Sequence, residues 1–331
     1  MQLLLAWRNF MKVTEQKIFV CCSQAVTGGP ELLHQLVHEL RCIGREAYIS
    51  YYPFEHEFST PIAYQKYNAP QRKIEDEKDC FVVIPEAATW IVRDIKKAKI
   101  GIWWLSVDNY LQAKHQSKIK DLYRRYKSLL RSRLPLYRLR SALHFTQSFY
   151  SEHFLKKYGI PSCELSDYLG EDHLINSFND EKIKKKENIV AYNPKKGQLQ
   201  TKKLIAKYPT IKFVPIVNMT PIQVRELLQR AKVYIDFGHH PGKDRPPREA
   251  AMAGCCVITG IKGSANFYED IPIPEKYKIN DTNDSYLEKF NTLVTDIFEN
   301  YKINSKEFTN YRNKIANEPE LFKIQVKNIF L

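Results

Sequence analysis

Between Val233 and Gly254 the chain reads VYIDFGHHPGKDRPPREAAMAG, and the side chains able to do chemistry crowd into its first loop. Gly238, His239, His240, Gly242, Lys243, Asp244, Arg245 and Arg248 follow Val233 to Phe237, a β-branched and aromatic run of the kind that forms a buried strand. Arg248 to Ala253 is a short helix-forming stretch closed by Gly254, and Cys255 to Ile258 is a further apolar strand. A flexible cationic loop that feeds a helix suits an anion, because free backbone N–H groups and the helix dipole both favour negative charge there. A second cluster, Lys195-Lys196-Gly197, follows the strand-like run Asn188 to Tyr192. Together with Lys243, Arg245 and Arg248 it would put several cations at one sheet edge. A pyrophosphate requires charge-assisted donors from more than one loop, with Arg supplying bidentate contacts. So many cations repel one another unless an anion is present.

The elements that must position these residues alternate along both halves of the chain. The first half predicts strand Lys17–Cys22, loop Ser23–Gly29 and a helix from Pro30 to about Cys42 with apolar Leu32, Leu33, Leu36, Val37 and Leu40. Strands follow at Ala47–Tyr52, Cys80–Ile84, Ile100–Leu105 and Leu143–Thr146, then a helix over Ser148–Tyr158. The second half predicts strand Asn188–Tyr192, helix Gln198–Lys207, strand Lys212–Val217, helix Pro221–Ala231 and strand Val233–Phe237. Strands separated by ten-to-fifteen-residue helices make βαβ units and parallel sheets. The expected architecture is therefore α/β, two doubly wound Rossmann-like domains whose strand ends face a shared cleft. The boundaries are 1–175 for the first domain, 176–187 for a polar linker, 188–305 for the second domain, and 306–331 for tail helices returning toward the first.

Composition narrows the partners. The net charge of +14, from 51 basic and 37 acidic residues, implies contact with something anionic. Ten Lys or Arg and a single acid, Asp121, lie between Lys114 and Arg140, interleaved with Leu and Tyr. That pattern suits an anionic lipid surface, and equally a solvated helix face. The seven cysteines are odd in number and show no metal-ligand spacing, which argues for a reducing cytosol. The start, MQLLLAWRNFMKV, lacks the layout of a cleavable signal, and no run approaches the ~20 apolar residues of a membrane span. The expected location is cytoplasmic, with peripheral attachment to the inner face of the plasma membrane through 114–140. No Gly-x-Gly-x-x-Gly follows either first strand, which argues against a nicotinamide dehydrogenase.

The chain resembles the GT-B glycosyltransferases, in particular the retaining group called family 4, over most of its length and most closely from about 188 to 270. In that family the second domain opens with a strand and a loop ending Lys-Gly, matched by Lys196-Gly197. A helix then leads to Ala-x-Val-x-Ile/Val, matched by Ala231 to Ile235, and to Glu-Ala-Met-Ala-x-Gly-x-Pro-Val, matched by Glu249 to Val257 with one inserted Ala. Gly28-Gly29 corresponds to the family's Gly-Gly loop near the first strand, and Gly263-Ser264-Ala265 corresponds loosely to its later Gly-rich loop. The resemblance implies that Glu249 accepts hydrogen bonds from the nucleotide ribose hydroxyls, and that Lys196 and a nearby Arg neutralise the diphosphate. His239 and His240 would hold a phosphate or the donor sugar, or form an ordinary surface pair. Two positions depart from the family pattern: Pro241 stands where its first Glu would be, and Ala191 where an Arg precedes the loop Lys.

The implied activity is transfer of a sugar from a nucleotide-sugar donor to a glycan or lipid-linked acceptor, in polysaccharide or glycoconjugate synthesis. On the acceptor side, Asp108 in Trp103-Trp104-Leu105-Ser106-Val107-Asp108 is the candidate general base or acceptor-hydroxyl ligand, and equally a helix cap. No cofactor and no essential metal is expected, since the chain has no Asp-x-Asp and cationic side chains take the role of Mg²⁺. Two other classes fit the charge or the fold: an RNA-binding protein, disfavoured by the lack of an aromatic stacking motif, and a sugar-nucleotide epimerase.

Overall fold

The structure, a computed structural model, describes residues 12–112, 132–174 and 186–331. The chain divides into two compact units, one made of Met1–Asp167 with Pro319–Leu331 and the other of Tyr168–Glu318. Most of the predicted linker, 176–187, lies outside the described residues, as does 114–131 of the basic segment. No helix among the described residues is long and apolar enough to cross a membrane.

The first unit is a parallel six-stranded sheet built from β1 (Lys17–Ser23), β2 (Glu46–Tyr52), β3 (Cys80–Pro85), β4 (Lys99–Trp104), β5 (Leu143–Thr146) and β6 (Cys163–Glu164), in the order β2-β1-β3-β4-β5-β6. The runs Ile18–Cys22 and Cys80–Ile84 are buried throughout. Continuous burial is what a parallel strand covered on both faces requires, and it explains why these strands read as unbroken apolar runs. Helix α1 (Gly28–Cys42) buries Leu32, Leu33, Leu36, Val37 and Leu40, the predicted stripe. The short α2 (Val107–Gln112) follows β4, and α3 (Phe149–Lys157) opens on a capping box between Ser148 and Ser151. Trp103 and Trp104 end β4 as expected, but as core residues rather than as residues facing a cleft. Trp103 and Trp104 are fully buried, with their indole N–H groups donated to Leu165 O and His144 Nδ1 at 2.8 and 3.0 Å.

The second unit is a parallel four-stranded sheet of β7 (Glu187–Tyr192), β8 (Lys212–Pro215), β9 (Ala231–Asp236) and β10 (Cys256–Thr259), in the order β10-β9-β7-β8. A short helix, α4 (Glu171–Leu174), precedes it. Between and after the strands come α5 (Gln198–Lys207), α6 (Pro221–Arg230), α7 (Arg245–Met252), α8 (Ser285–Glu299), α9 (Tyr301–Lys306) and α10 (Thr309–Ala316). Helix α7 begins three residues earlier than its sequence suggests. Pro246 and Pro247 occupy its first turn, where backbone N–H groups have no intrahelical partner and proline costs nothing. Helix α8 packs Phe290 against Phe213 and Phe237. The buried ammonium of Lys186 donates to Leu228 O, Ala231 O and Ala253 O at 2.8–2.9 Å, satisfying carbonyls at the ends of α6 and α7.

The tail divides between the units. Its last helix, α11 (Glu318–Phe330), belongs to the first unit from Pro319 onward. There Phe330 meets Phe81 and Phe145, and Phe322 stacks on Trp103.

Candidate functional site

Strand register brings three chain segments together in the second unit. Tyr192 of β7 pairs with Ile235 of β9, and Asp236 of β9 pairs with Thr259 of β10. The loops leaving these carboxyl ends are consequently neighbours, which is where parallel α/β sheets hold their ligands. The loops touch backbone to backbone. Gly197 has φ 57°, and a Cβ there would lie 2.6 Å from the Phe237 carbonyl carbon, while a Cβ on Gly238 would lie 2.6 Å from Lys196 Cβ. Gly263 is constrained in the same way, because a Cβ would fall 2.0 Å from His240 O. The Ser264 N–H donates to His240 O at 2.8 Å, and the Ser264 hydroxyl donates to Gly242 O at 2.6 Å. No larger residue fits at these contacts, so the glycines explain why the loops can interlock.

Into this frame the sequence sets four ionisable groups. The Lys196 ammonium pairs with Asp244. The His240 ring is fully buried, with Nδ1 3.2 Å from Asp244 Oδ2 and Nε2 3.6 Å from Asp236 Oδ1. Asp236 Oδ1 also accepts the Gly238 N–H at 2.9 Å. Burial alone would discharge His240, but Asp244 and Asp236 outweigh it and hold its pKa above the ordinary value. Burial likewise opposes ionisation of Asp244, and His240 with Lys196 outweighs it in turn, holding the carboxyl below its ordinary range. Asp236 Oδ2 and the Tyr234 hydroxyl are buried in the same region without a hydrogen-bond partner.

Asp236, His240 and Asp244 each offer a ligand atom within 4.8 Å of the others, the one such trio among the described residues. A cation would fit that spacing. The imidazolium and the Lys196 ammonium already balance both carboxylates, however, so a dication would enter only by displacing positive charge. We therefore read no metal into the trio.

The remaining predicted cations also face protein carboxylates. Lys243 Nζ lies 2.9 Å from Glu318 Oε1, and Arg248 Nη1 donates to Glu318 Oε2 at 2.7 Å. Arg248 is only 1% exposed and also donates to the carbonyls of Lys243 and Asp244. Arg245 Nε is 3.5 Å from Glu249 Oε1, which in turn lies 3.7 Å from His173 Nε2. The expectation that this concentration of positive charge needs an outside anion is thus corrected. Glu318, Asp244 and Glu249 supply the negative charge, and Glu318 lies too far along the chain to be paired by sequence pattern. Of the cations, Lys196 has the geometry to serve a ligand, since its ammonium is on the loop at the strand ends and partly exposed.

Glu249 is in the first turns of α7 and lines a small surface pocket with Asp172, His173, Arg225, Gln229 and Met252. Burial lowers the His173 pKa, with Glu249 opposing. His239 is exposed, and its ring lies against Gly263. Sequence reasoning missed Asp236, Tyr234, His173 and Glu318. An Asp closing an apolar strand was the available signal for the first; Glu318 left none.

In the first unit, Gly28 and Gly29 open α1, and a Cβ on Gly29 would make only an ordinary contact with Leu105. Asp108 lies in the first turn of α2 and accepts a hydrogen bond from the Tyr150 hydroxyl at 3.0 Å. Close by in sequence to β3, Glu86 is fully buried and accepts the Leu105 N–H at 2.9 Å, and burial pushes its pKa up to about 7. It supports the segment that carries Asp108 and was not singled out from sequence.

No family model and no curated protein sequence matches the chain. Its likeness is to solved structures. Sucrose-phosphate synthase from Thermosynechococcus elongatus superposes with a TM-score of 0.64 at 11% identity, over 94% of this chain and 97% of that one. Anabaena HepE in complex with UDP-glucose gives 0.60 at 12% identity, over 94% and 98%. An α-glucosyltransferase in complex with UDP and DNA gives 0.54 at 9% identity, over 95% and 99%. At such identities the shared property is the backbone, two parallel α/β units in succession. The chain has the fold of the GT-B glycosyltransferases.

Proposed function

We propose that this protein is a glycosyltransferase that takes a sugar from a nucleotide-sugar donor held at the strand ends of the second unit. One observation carries this reading: the Lys196, His240 and Gly263 loops interlock at the carboxyl ends of β7, β9 and β10, with a mobile-length ammonium presented on a buried, charge-balanced base. In this reading Lys196 exchanges Asp244 for the donor diphosphate, and Glu249 exchanges Arg245 and His173 for the ribose hydroxyls. A carboxylate accepts two hydrogen bonds at once and so suits a diol. HepE, similar in fold, is complexed with UDP-glucose, which supports the donor class. The acceptor would be a glycan or a lipid-linked acceptor. Cytoplasmic location, with docking of 114–140 on the inner membrane face, belongs to the same proposal.

The test separates phosphate from nucleoside recognition. Lys196→Ala should weaken nucleoside diphosphate binding by at least about tenfold, the scale of one charge-assisted hydrogen bond, and leave nucleoside binding unchanged. Equal losses for both ligands would place the anion site elsewhere.

A further inference from the structure

We propose that His240 is a positioning residue of the donor site: as an imidazolium it ties Asp244 to Asp236 and holds the Lys196 ammonium at the strand ends. The inference rests on the reading of Lys196 as the diphosphate lysine. Its geometric basis is independent of any ligand. Nδ1 faces the Asp244 carboxylate at 3.2 Å, while Nε2 faces the Asp236 backbone carbonyl at 3.4 Å and its Oδ1 at 3.6 Å. A neutral imidazole has one N–H, so it would set a lone pair against the oxygens on one side; only the doubly protonated ring suits both. The ring cannot withdraw, because it is fully buried and its own carbonyl is held by the Ser264 N–H.

The groups around the ring account for its charge. Strand β9 contributes Asp236 and the Tyr234 phenol, the turn into α7 contributes Asp244, and the loop after β7 contributes Lys196. The loop after β10 contributes Gly263 and Ser264, which are uncharged, and His239 is the adjacent residue. Two carboxylates therefore meet one imidazolium and one ammonium. Asp244 Oδ2 is shared by both cations. When Lys196 turns to a phosphate, His240 remains as the counter-charge, so the half-buried Asp244 carboxylate is not stranded. Without a charged His240, Lys196 would leave Asp244 only by stripping a half-buried carboxylate of its counter-charge, and it would stay where it is.

Two measurements test this on the full chain. In wild type labelled with ¹⁵N-histidine, the resonance that disappears in His240→Gln should show both ring nitrogens protonated at pH 7, above the ordinary imidazole value of 6.5. A neutral tautomer there overturns the proposal, and His240→Asn supplies the same assignment should the Gln variant not fold. For binding, the probe is whichever of UDP, GDP, ADP, CDP and dTDP binds tightest. His240→Gln should raise its Kd about tenfold at pH 6, the scale of one hydrogen bond to a charged group, and the ratio to wild type should shrink toward one as pH rises to 9. Using the ratio removes titration of the ligand itself. A ratio that is the same at both pH values overturns the role, since a purely structural defect would behave so. Lys196→Ala binding as tightly as wild type would overturn the donor reading, and this role with it.

Discussion

The two units differ in how they hold their most deeply buried ionisable groups. In the first, Glu86, His144 and His34 are buried without an ion pair, while Glu15 and Glu31 pair with the exposed ammonium groups of Lys99 and Lys66. Burial lifts Glu86 to about 7 and lowers His144 to about 4, and it lowers His34 as well. His144 takes the Trp104 indole N–H on Nδ1 and donates Nε2–H to Leu139 O at 3.0 Å, the pattern of a neutral ring. In the second unit the buried groups around the strand ends and α7 are paired, His240 with Asp236 and Asp244, Arg248 and Lys243 with Glu318, whereas Lys186 is held by backbone carbonyls. A sheet needs no buried charge to pack, and desolvating an ion pair costs several kcal/mol per ion before any attraction is counted. Both sheets are parallel, and their central strands are buried along most of their length. The difference is that the second unit gathers its buried ion pairs around the strand ends and α7, and the proposed donor site draws on that charge.

The sharpest way to break the contrast is to remove one carboxylate charge from each unit. Glu318→Gln should cost about 3–5 kcal/mol, because Arg248 is left buried and uncompensated. Glu86→Gln should cost under about 1 kcal/mol, because the side chain is already half neutral near pH 7 and an amide oxygen still accepts the Leu105 N–H. All four tryptophans belong to the first unit, so indole fluorescence reports that unit alone while circular dichroism reports both. Comparable losses from the two variants would erase the distinction.

Acidity and alkalinity should act on different units. His144 has a lowered folded pKa, so its contribution is present above 6.5 and is lost as pH falls toward about 4, a loss on the order of 3 kcal/mol. His240 has a raised folded pKa, so its contribution is complete below 6.5 and is lost as pH rises through the folded value. Urea titrations at pH 4.5, 6 and 9 should show the tryptophan-reported transition weakening toward acid. The other transition should weaken from pH 6 to 9, and in His240→Gln that alkaline weakening should be absent.

How much of this was legible in sequence follows the range of the interactions. The strands were legible because a fully covered parallel strand is apolar along its whole length, as in Ile18–Cys22. The helices α1 and α5 were legible from their 3.6-residue spacing. Local loop chemistry was legible too: Lys196-Gly197 and Gly263-Ser264 stand at strand ends as their types suggested. What could not be read was pairing across long separations. Arg248 and Lys243 looked like ligand-seeking cations because their partner, Glu318, lies seventy residues downstream. Trp103 and Trp104 looked like a site edge because the helix that covers Trp103, α11, comes from the far end of the chain. His239 and His240 read as ligands for a phosphate or sugar or as a surface pair, yet His240 is fully buried, bridged to Gly263, while His239 stays exposed.

A smaller effect sharpens the donor side of the contrast. Glu249→Ala should weaken every nucleotide that binds by about 1.5–3 kcal/mol, the range for hydrogen bonds to a charged group, and leave both unfolding transitions close to wild type. Isothermal titration of the variant measures it. Unchanged affinity would remove Glu249 from the site.

The central claim, that the second unit's strand ends bind the nucleotide of a sugar donor, is tested most directly by thermal shift against UDP, GDP, CMP, ADP and dTDP. A ligand that binds only the folded state stabilises it in proportion to ln(1 + [L]/Kd), so a nucleotide at about a hundred times its Kd adds about 2.7 kcal/mol. The account predicts that one of the nucleoside diphosphates raises the melting transition of the second unit, and that the shift is lost in Lys196→Ala. No shift with any of the five at millimolar concentration, or a shift that Lys196→Ala leaves intact, would contradict it.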